Sequence, residues 1–519
     1  MKKLIRLMLL FLVVFIFIFS MGVSAVDPGN PFTILSTDRY SVDFSICNYS
    51  GGSTTNITIS NLSDEAIKDW KLKWTFNEPS QISNSWCGNY TQTGKLVEVT
   101  PMPWNRVIAP KTSIKMGFDS TDPLTKPLDL TLLMAESVTK AELIGKLIPD
   151  VTALVNANSQ FAFAIFKQLN TTETGKNIFI SPFSISTALA MLYQGAASDT
   201  RDEMAKALHY SGLGLSQLNS DYKNLLAYLQ KPDSLVTLNI ANSIWYQMGF
   251  AVKPGFLNTN NNFFGAEIKS LDLTTAGAAD TINDWVSKAT NGMIDQIVNP
   301  PLPGVMYLIN AIYFKGTWTK QFDPDLTRKA TFTTESGKSN LVDMMSATDT
   351  IEFGKGTDYS AIRLPYGAGR VSMYCILPAE GLALDKFISD LSVAKFNEIK
   401  QSLSPRKNFS VKLPKFKMEY GVKSLETVLN TLGINKAFTP SQADFTGITD
   451  ATLWVEDVLH KAVIDVNEVG SEAAASTVVI LPTSVQDNFH AHRPFLFIIA
   501  DDFTNTIMFM GKAADLVEY

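Results

Sequence analysis

The chain has 519 residues, of which 45% are hydrophobic and 18% charged, with a formal net charge of −6. These proportions exclude a disordered chain and a multi-span membrane protein, and an acidic balance without a long basic run excludes a nucleic-acid binder. The length corresponds to about two to four domains. Three cysteines and four histidines, with no Cys-x-x-Cys or His-Glu-x-x-His spacing, give no support for a metal site or a cofactor.

In chain order, Lys2, Lys3 and Arg6 precede the apolar run Leu7–Phe19, and Val23-Ser24-Ala25 supplies a small-residue cleavage site, so residues 1–25 are read as the signal peptide of an exported protein. The apolar run is shorter than the ~20 residues of a membrane span. Its removal leaves 41 Lys and Arg against 50 Asp and Glu, a formal charge of −9.

From about Ser36 to Ala135 the chain is rich in Thr, Ser, Asn and Gly, with alternating runs such as Asn56–Ser60 and Trp70–Phe76. Period-two alternation bounded by turn residues predicts short half-buried strands, hence an all-β sandwich over residues 36–135. Trp70 and Trp74, four apart on one strand face, are expected in its core. Trp86 and Trp104 fall in turn-like settings where a large ring is hard to bury. Cys47 and Cys87 are able to pair in an oxidising compartment, whereas Cys375, inside the apolar run Val371–Leu377, reads as an inert buried thiol.

Residues 136–150 are expected to connect two domains, with Ala141–Ile148 either a short helix or plain linker. Beyond them the character changes. Ser159 and Gln160 introduce Phe161, Ala164, Ile165 and Leu169 at helical spacing, and Ser181-Pro182 open a helix whose stripe is Ile185, Ala188, Leu189 and Leu192. The runs Thr237–Trp245, Met306–Phe314 and Pro494–Ala500 are dominated by β-branched and aromatic residues and predict strands. Residues 151–519 are therefore expected to be a mixed α+β domain. His490 and His492 alternate as on a strand and read as a chance pair.

The stretch from Gly470 to Val485 begins with small residues, passes through the β-branched run Val478–Leu481 and ends polar around Pro482. A good strand is thus set within what looks like an exposed loop. This stretch resembles the hinge and reactive-centre loop of serpins, and the resemblance extends over residues 151–519 through the runs Asn177–Ile185, Ile309–Trp318, Leu413–Phe416, His460–Glu468 and Arg493–Phe497. It implies a central mixed β-sheet, several helices and an exposed bait loop. A target serine protease attacks the bait and forms an acyl-enzyme, and the freed loop then inserts as a new strand into the central sheet. By that resemblance Gly470, Ser471, Glu472, Ala473, Ala474, Ala475 and Ser476 form the hinge. Their small volume suits insertion, because overpacking by even one methylene costs about 1–3 kcal/mol, while Glu472 alternates to the solvent side. Ser181, Ser184, Asn310 and His460 match the polar cluster beneath the point where the sheet opens, and Trp318 matches the aromatic where insertion begins. The scissile bond falls at Thr483–Ser484 or Ser484–Val485, depending on the end from which the loop is counted. Neither choice offers Lys or Arg, so an elastase-like or subtilisin-like protease is the expected target rather than a trypsin-like one.

Cys47–Gly52, Asn84–Asn89, Met102–Asn105 and Ile108–Phe118 resemble the cellulose-binding type of bacterial carbohydrate-binding module. The resemblance places Tyr49, Trp86 and Trp104 on a flat aromatic platform for polysaccharide. Tyr49 stands where tryptophan is commoner, Cys87 follows a platform residue, and the usual terminal cysteine pair is not evident, so cellulose, chitin, xylan and surface glycans all remain open. Asn48 and Asn89 head Asn-x-Ser/Thr sequons beside the platform.

The expectation is a secreted, monomeric serpin with an N-terminal sandwich. It would inhibit serine proteases as a suicide substrate, without catalysis of its own, and be held on polysaccharide with no membrane or nucleic-acid partner. The alternatives are a non-inhibitory serpin and a glycan-binding protein with a structural second domain.

Overall fold

The structure is a computed structural model that describes residues 32–37, 39–63, 66–102, 105–109, 111–133, 149–230, 235–367, 369–470 and 488–519. The signal-peptide region, most of the connecting stretch, Trp104, the hinge beyond Gly470 and both candidate scissile bonds lie outside the described residues. The chain divides into two compact units, Met1–Ala141 and Glu142–Tyr519.

Among the described residues the first unit holds β1 (Phe32–Ser36), β2 (Tyr40–Tyr49), β3 (Gly52–Asn61), β4 (Ile67–Lys68), β5 (Lys71–Thr75), β6 (Ile82–Trp86), β7 (Asn89–Thr93), β8 (Leu96–Thr100), β9 (Val107–Ile108), β10 (Ser113–Ser120) and β11 (Leu128–Leu133). One sheet runs β1-β2-β3-β10-β6 and another β11-β5-β8-β7, with β4 and β9 paired apart. Alternation along the strands sends Val42, Phe44, Ile57, Ile59, Leu72, Trp74, Val97, Val99, Met116 and Phe118 into one buried cluster. Trp70 and Trp74 are both fully buried. Trp74 stacks on Phe118 at 5.7 Å between centroids, and the Trp70 indole donates to the Asn105 carbonyl at 2.9 Å.

Cys47 and Cys87 are not joined to each other by a disulfide. The sheet order explains why: β3 and β10 separate β2, which carries Cys47, from β6, which Cys87 follows. Three strand spacings amount to roughly 14 Å, twice the Cα separation of about 7 Å beyond which a disulfide does not close.

In the second unit the described helices are α1 (Thr152–Thr172), α2 (Pro182–Tyr193), α3 (Ser198–Ala207), α4 (Leu215–Leu229), α5 (Pro254–Phe264), α6 (Gly277–Ala289), α7 (Leu384–Asp390), α8 (Val393–Ser402) and α9 (Glu426–Thr431). The strands are β12 (Ile178–Ile180), β13 (Val236–Gln247), β14 (Glu267–Leu271), β15 (Met306–Gly316), β16 (Arg328–Thr333), β17 (Ser339–Lys355), β18 (Tyr359–Tyr366), β19 (Val371–Pro378), β20 (Ser404–Pro414), β21 (Phe416–Ser424), β22 (Leu459–Val466), β23 (Asn488–His490), β24 (Phe495–Asp501) and β25 (Ile507–Ala513). The largest sheet runs β12-β25-β24-β19-β18-β17-β20-β23, with β16 added on β17. β14-β13-β15 and β21-β22 form two further sheets.

Helix α1 starts at Thr152, where the Asp150 carboxylate accepts the Thr152 N–H at 2.9 Å, so Ser159 and Gln160 lie inside the helix rather than opening it. Asn158 and Ser159 are buried, and the Asn158 amide oxygen accepts from the Tyr222 hydroxyl at 3.2 Å. These buried polar residues interrupt the apolar stripe that marks the helix in sequence. Ser181 is the N-cap of α2, accepting the Ser184 N–H at 3.1 Å, with Pro182 in the first turn.

Candidate functional site

Strands β15 and β22 belong to different sheets, and among the described residues no strand lies between them. They are nevertheless neighbours on both faces. Val463 of β22 packs against the buried cluster that contains Ile309 and Ala311 of β15 together with Ile282 and Val286 of α6. Beneath the split, the start of α2 reaches both sides. The Ser184 hydroxyl bonds the Asn310 amide oxygen on β15, while the Ser181 N–H donates to His460 Nε2 on β22 at 3.2 Å. The Ser181 hydroxyl donates to the Met508 carbonyl at 2.7 Å, tying the same turn to β25. On the far side the Asn310 amide donates to Asn242 Oδ1 at 2.5 Å, directly across the β13–β15 ladder, and Asn242 donates to the Phe264 carbonyl at 2.6 Å. Ser181, Ser184, Asn310 and His460 are thus brought together, with Asn242 as a fifth member. Parting β15 from β22 must break one arm of this set, and a buried polar group left without a partner costs about 1–3 kcal/mol.

His460 is 4% exposed. Its Nε2 accepts a hydrogen bond, so the ring is neutral with its proton on Nδ1. Burial lowers its pKa from 6.5 to about 4. A depressed histidine pKa means that the unfolded chain binds the proton more readily. The stabilisation is therefore complete above pH 6.5 and is lost as pH falls towards 4, by about 2 kcal/mol at pH 5. His490 is lowered to a similar value, so the test compares wild type with His460→Gln. The urea midpoint should drop less between pH 7.5 and pH 5 in the variant; equal drops contradict the assignment.

At the upper end of the split, Trp318 stacks on Tyr366 with centroids 4.2 Å apart, its indole donates to the Asn467 carbonyl at 3.0 Å, and its own N–H donates to the Val469 carbonyl at 2.8 Å. Gly470 bridges Thr317 with φ +133°, and a Cβ there would stand 2.2 Å from the Gly316 carbonyl oxygen. No L side chain fits that conformation or that space. Gly470→Ala is expected to lower the thermal midpoint of the uncleaved chain by several degrees. An unchanged midpoint would remove Gly470 from the closure.

Glu468, beside this point, accepts from the Thr327 hydroxyl at 2.8 Å and pairs with Lys415 at 3.1 Å. Burial works to raise its pKa, but Thr327, the backbone and Lys415 together outweigh burial and hold it below the ordinary carboxylate value. Sequence reasoning had not singled out Asn242, Tyr366, Lys415 or Glu468. The available signal was a polar residue inside an otherwise apolar strand run, as at Asn242.

In the sandwich, the register places Tyr49 and Trp86 on the outward face of the same sheet. Tyr49 pairs with Gly52, and Trp86 with Gly117, whose neighbours Met116 and Phe118 point into the core. Each ring lies against a glycine: a Cβ at Gly117 would stand 2.3 Å from the Trp86 ring, and one at Gly52 3.1 Å from the Tyr49 ring. Tyr49 is 44% exposed. Between the two rings on this face, Asp119 accepts from the Thr54 hydroxyl at 2.8 Å and the Asn84 amide at 3.3 Å. The Asn48 side chain is occupied at both ends by the Leu124 backbone, and the Asn89 amide donates to the Pro101 carbonyl at 3.0 Å.

Residues 156–516 match the family model for serpins, described as serine protease inhibitors. The chain belongs to the serpin family. Residues 40–133 match the model for a cellulose binding domain. A serpin-like protein of Thermococcus kodakarensis is 37% identical over 370 residues, covering 69% of this chain and 85% of that protein. The leukocyte elastase inhibitor of Bos taurus is 35% identical over 372 residues, 69% of this chain and 97% of the inhibitor. Among solved structures, tengpin, a thermophilic serpin in its native state, aligns with TM-score 0.63 and 31% identity over 70% of this chain and 94% of that one. Uncleaved ovalbumin aligns with TM-score 0.63 and 29% identity over 70% and 100%. Membership of this family is that of an inhibitor fold rather than a catalyst, and no described helix is long and apolar enough to cross a membrane.

Proposed function

We propose that the chain is an exported, inhibitory serpin that traps elastase-like or subtilisin-like serine proteases and is held on an extracellular polysaccharide by its first domain. The domains of this reading are the signal peptide (1–25), the glycan-binding sandwich (36–135), the linker (136–150) and the serpin domain (151–519). The observation that carries the reading is the boundary between β15 and β22 where no strand pairing is made, bridged beneath by the Ser181–Ser184–Asn310–His460 set and leading towards Gly470, after which the small-residue hinge Ser471–Ser476 follows in sequence. The protease serine oxygen adds to the carbonyl carbon of Thr483 or Ser484 and the C–N bond breaks. The new amine of Ser484 or Val485 leaves with a proton, and an ester joins protease and inhibitor. The hinge then enters between β15 and β22 before water can cleave that ester. Tyr49 and Trp86, with Trp104 as the third ring, form the polysaccharide platform.

Incubation with subtilisin, pancreatic elastase and trypsin, followed by denaturing electrophoresis and mass spectrometry of the released fragment, tests this directly. A covalent complex with subtilisin or elastase, and a fragment starting at Ser484 or Val485, is expected. Clean cleavage with full protease activity would sink the inhibitory reading.

A further inference from the structure

The segment that follows β25 runs from β17 and β16 to β22, on one side of the split. Leu516 is 3% exposed, and the Asn340 amide on β17 donates to the Leu516 carbonyl at 2.8 Å and to Asp515 Oδ1 at 2.7 Å, which anchors the segment at one side. Val517 then points outward, 61% exposed. Glu518 pairs with Lys329 on β16, and Lys329 also meets Asp343 on β17 at 3.0 Å. Tyr519 reaches β22, where its hydroxyl contacts both Asp465 carboxylate oxygens at 2.7 and 2.9 Å, and Lys415 Nζ stands 4.4 Å from its ring centre.

Both contacts lead to the place where the loop would enter. Asp465 Oδ1 also accepts from the Asn467 amide at 3.3 Å, and the Asn467 carbonyl holds the Trp318 indole at 3.0 Å. Lys415, over the face of the ring, is the partner of Glu468 at 3.1 Å. Resting on the inhibitory reading above, we propose that Glu518–Tyr519 is a strap that holds β22, Asn467 and Lys415 against the β16–β17 sheet, so that Tyr519 is a positioning residue setting how fast a strand is admitted between β15 and β22. Burial and then Asp465 raise the Tyr519 phenol to about 12, so it remains a donor at any physiological pH. The strap lies on the surface, so its removal leaves the buried core of the unit unaltered. What it changes is the freedom of Asn467, which holds the Trp318 indole, and of Lys415, which holds Glu468.

The test is uptake of a synthetic peptide with the sequence of residues 471–483 by the uncleaved full-length chain, followed on native gels. Tyr519→Ala is expected to take up the peptide roughly tenfold faster than wild type. Tyr519→Phe, which keeps the ring on Lys415 and loses only the Asp465 bonds, should be roughly threefold faster. Val517→Ala, in the same segment but facing solvent, should match wild type. Uptake by Tyr519→Ala within twofold of wild type, including no uptake by either, overturns the strap, as does an equal acceleration by Val517→Ala. The inhibitory reading is judged separately, by the covalent complex: a wild type that forms none loses that reading while the uptake comparison still decides the strap.

Discussion

Ala473→Arg is expected to convert the chain from inhibitor to substrate, raising the number of molecules consumed per protease inactivated at least about tenfold while cleavage of the loop proceeds normally. Counting along the hinge, Ser471, Ala473 and Ala475 fall on one side of the inserting strand and Glu472 on the other. The side that enters must pass between β15 and β22 over a floor already filled by the α2 turn, whose Ser184 and Ser181 bond Asn310 and His460. An arginine there is both oversized and unpaired. Burying it costs about 3 kcal/mol or more, which slows insertion roughly 100-fold if it is felt in the transition state. The acyl-enzyme then has time to hydrolyse. Glu472→Arg is the matched control, since that position faces solvent and the same change should leave the stoichiometry within about twofold. Equal effects at 472 and 473 would mean that the hinge does not enter as an alternating strand.

Trp86→Ala should release the first domain from microcrystalline cellulose. The Trp86 ring lies over Gly117 on the outward sheet face and Tyr49 lies against Gly52 on the same face, so both rings stand on one surface. Their Cα atoms are three strands and about four residues apart, roughly 19 Å, enough to span several sugar rings. One covered ring face of about 75 Å² is worth about 2 kcal/mol, so loss of Trp86 should weaken binding roughly 30-fold. The core Trp70–Trp74–Phe118 packing is elsewhere, and the thermal transition of the first domain should stay within a few degrees. Retention of the variant on cellulose would move the binding face, and retention on chitin or xylan alone would change the glycan.

Local signals were legible in the sequence where one element's own periodicity or cap decides the structure. Ser181-Pro182 start α2 as expected, and the runs at Thr237, Met306 and Pro494 lie in β13, β15 and β24. The start of α1 lies earlier than the periodicity suggests because Asn158 and Ser159 are buried polar residues, and the bond from Tyr222 to Asn158 comes from a helix some 60 residues away, which no local pattern records. The cysteine pair stays open in the sequence for the same reason: residue type says that Cys47 and Cys87 can react, and only strand order says how far apart they are. The split sheet is the extreme case. β15 and β22 lie about 150 residues apart in sequence and each reads as an ordinary strand. That they adjoin without pairing, over one α2 turn, follows from the assembled sheet alone. Asn242 and Asn310 look like unrelated amides until the β13–β15 register sets them opposite each other. Glu468 and Lys415 likewise become a pair only when β22 returns beside β21.

The central claim is that the gap between β15 and β22 accepts the chain's own loop. A limited cut between residues 470 and 488, made with subtilisin or elastase at low ratio and confirmed by mass, allows the thermal midpoints of cut and uncut chains to be compared. A dozen or so newly paired residues, each contributing about 0.5–1.5 kcal/mol net, should raise the midpoint of the second unit by tens of degrees relative to the uncut chain. A cut chain that melts with or below the uncut one would contradict insertion, and with it the inhibitory mechanism.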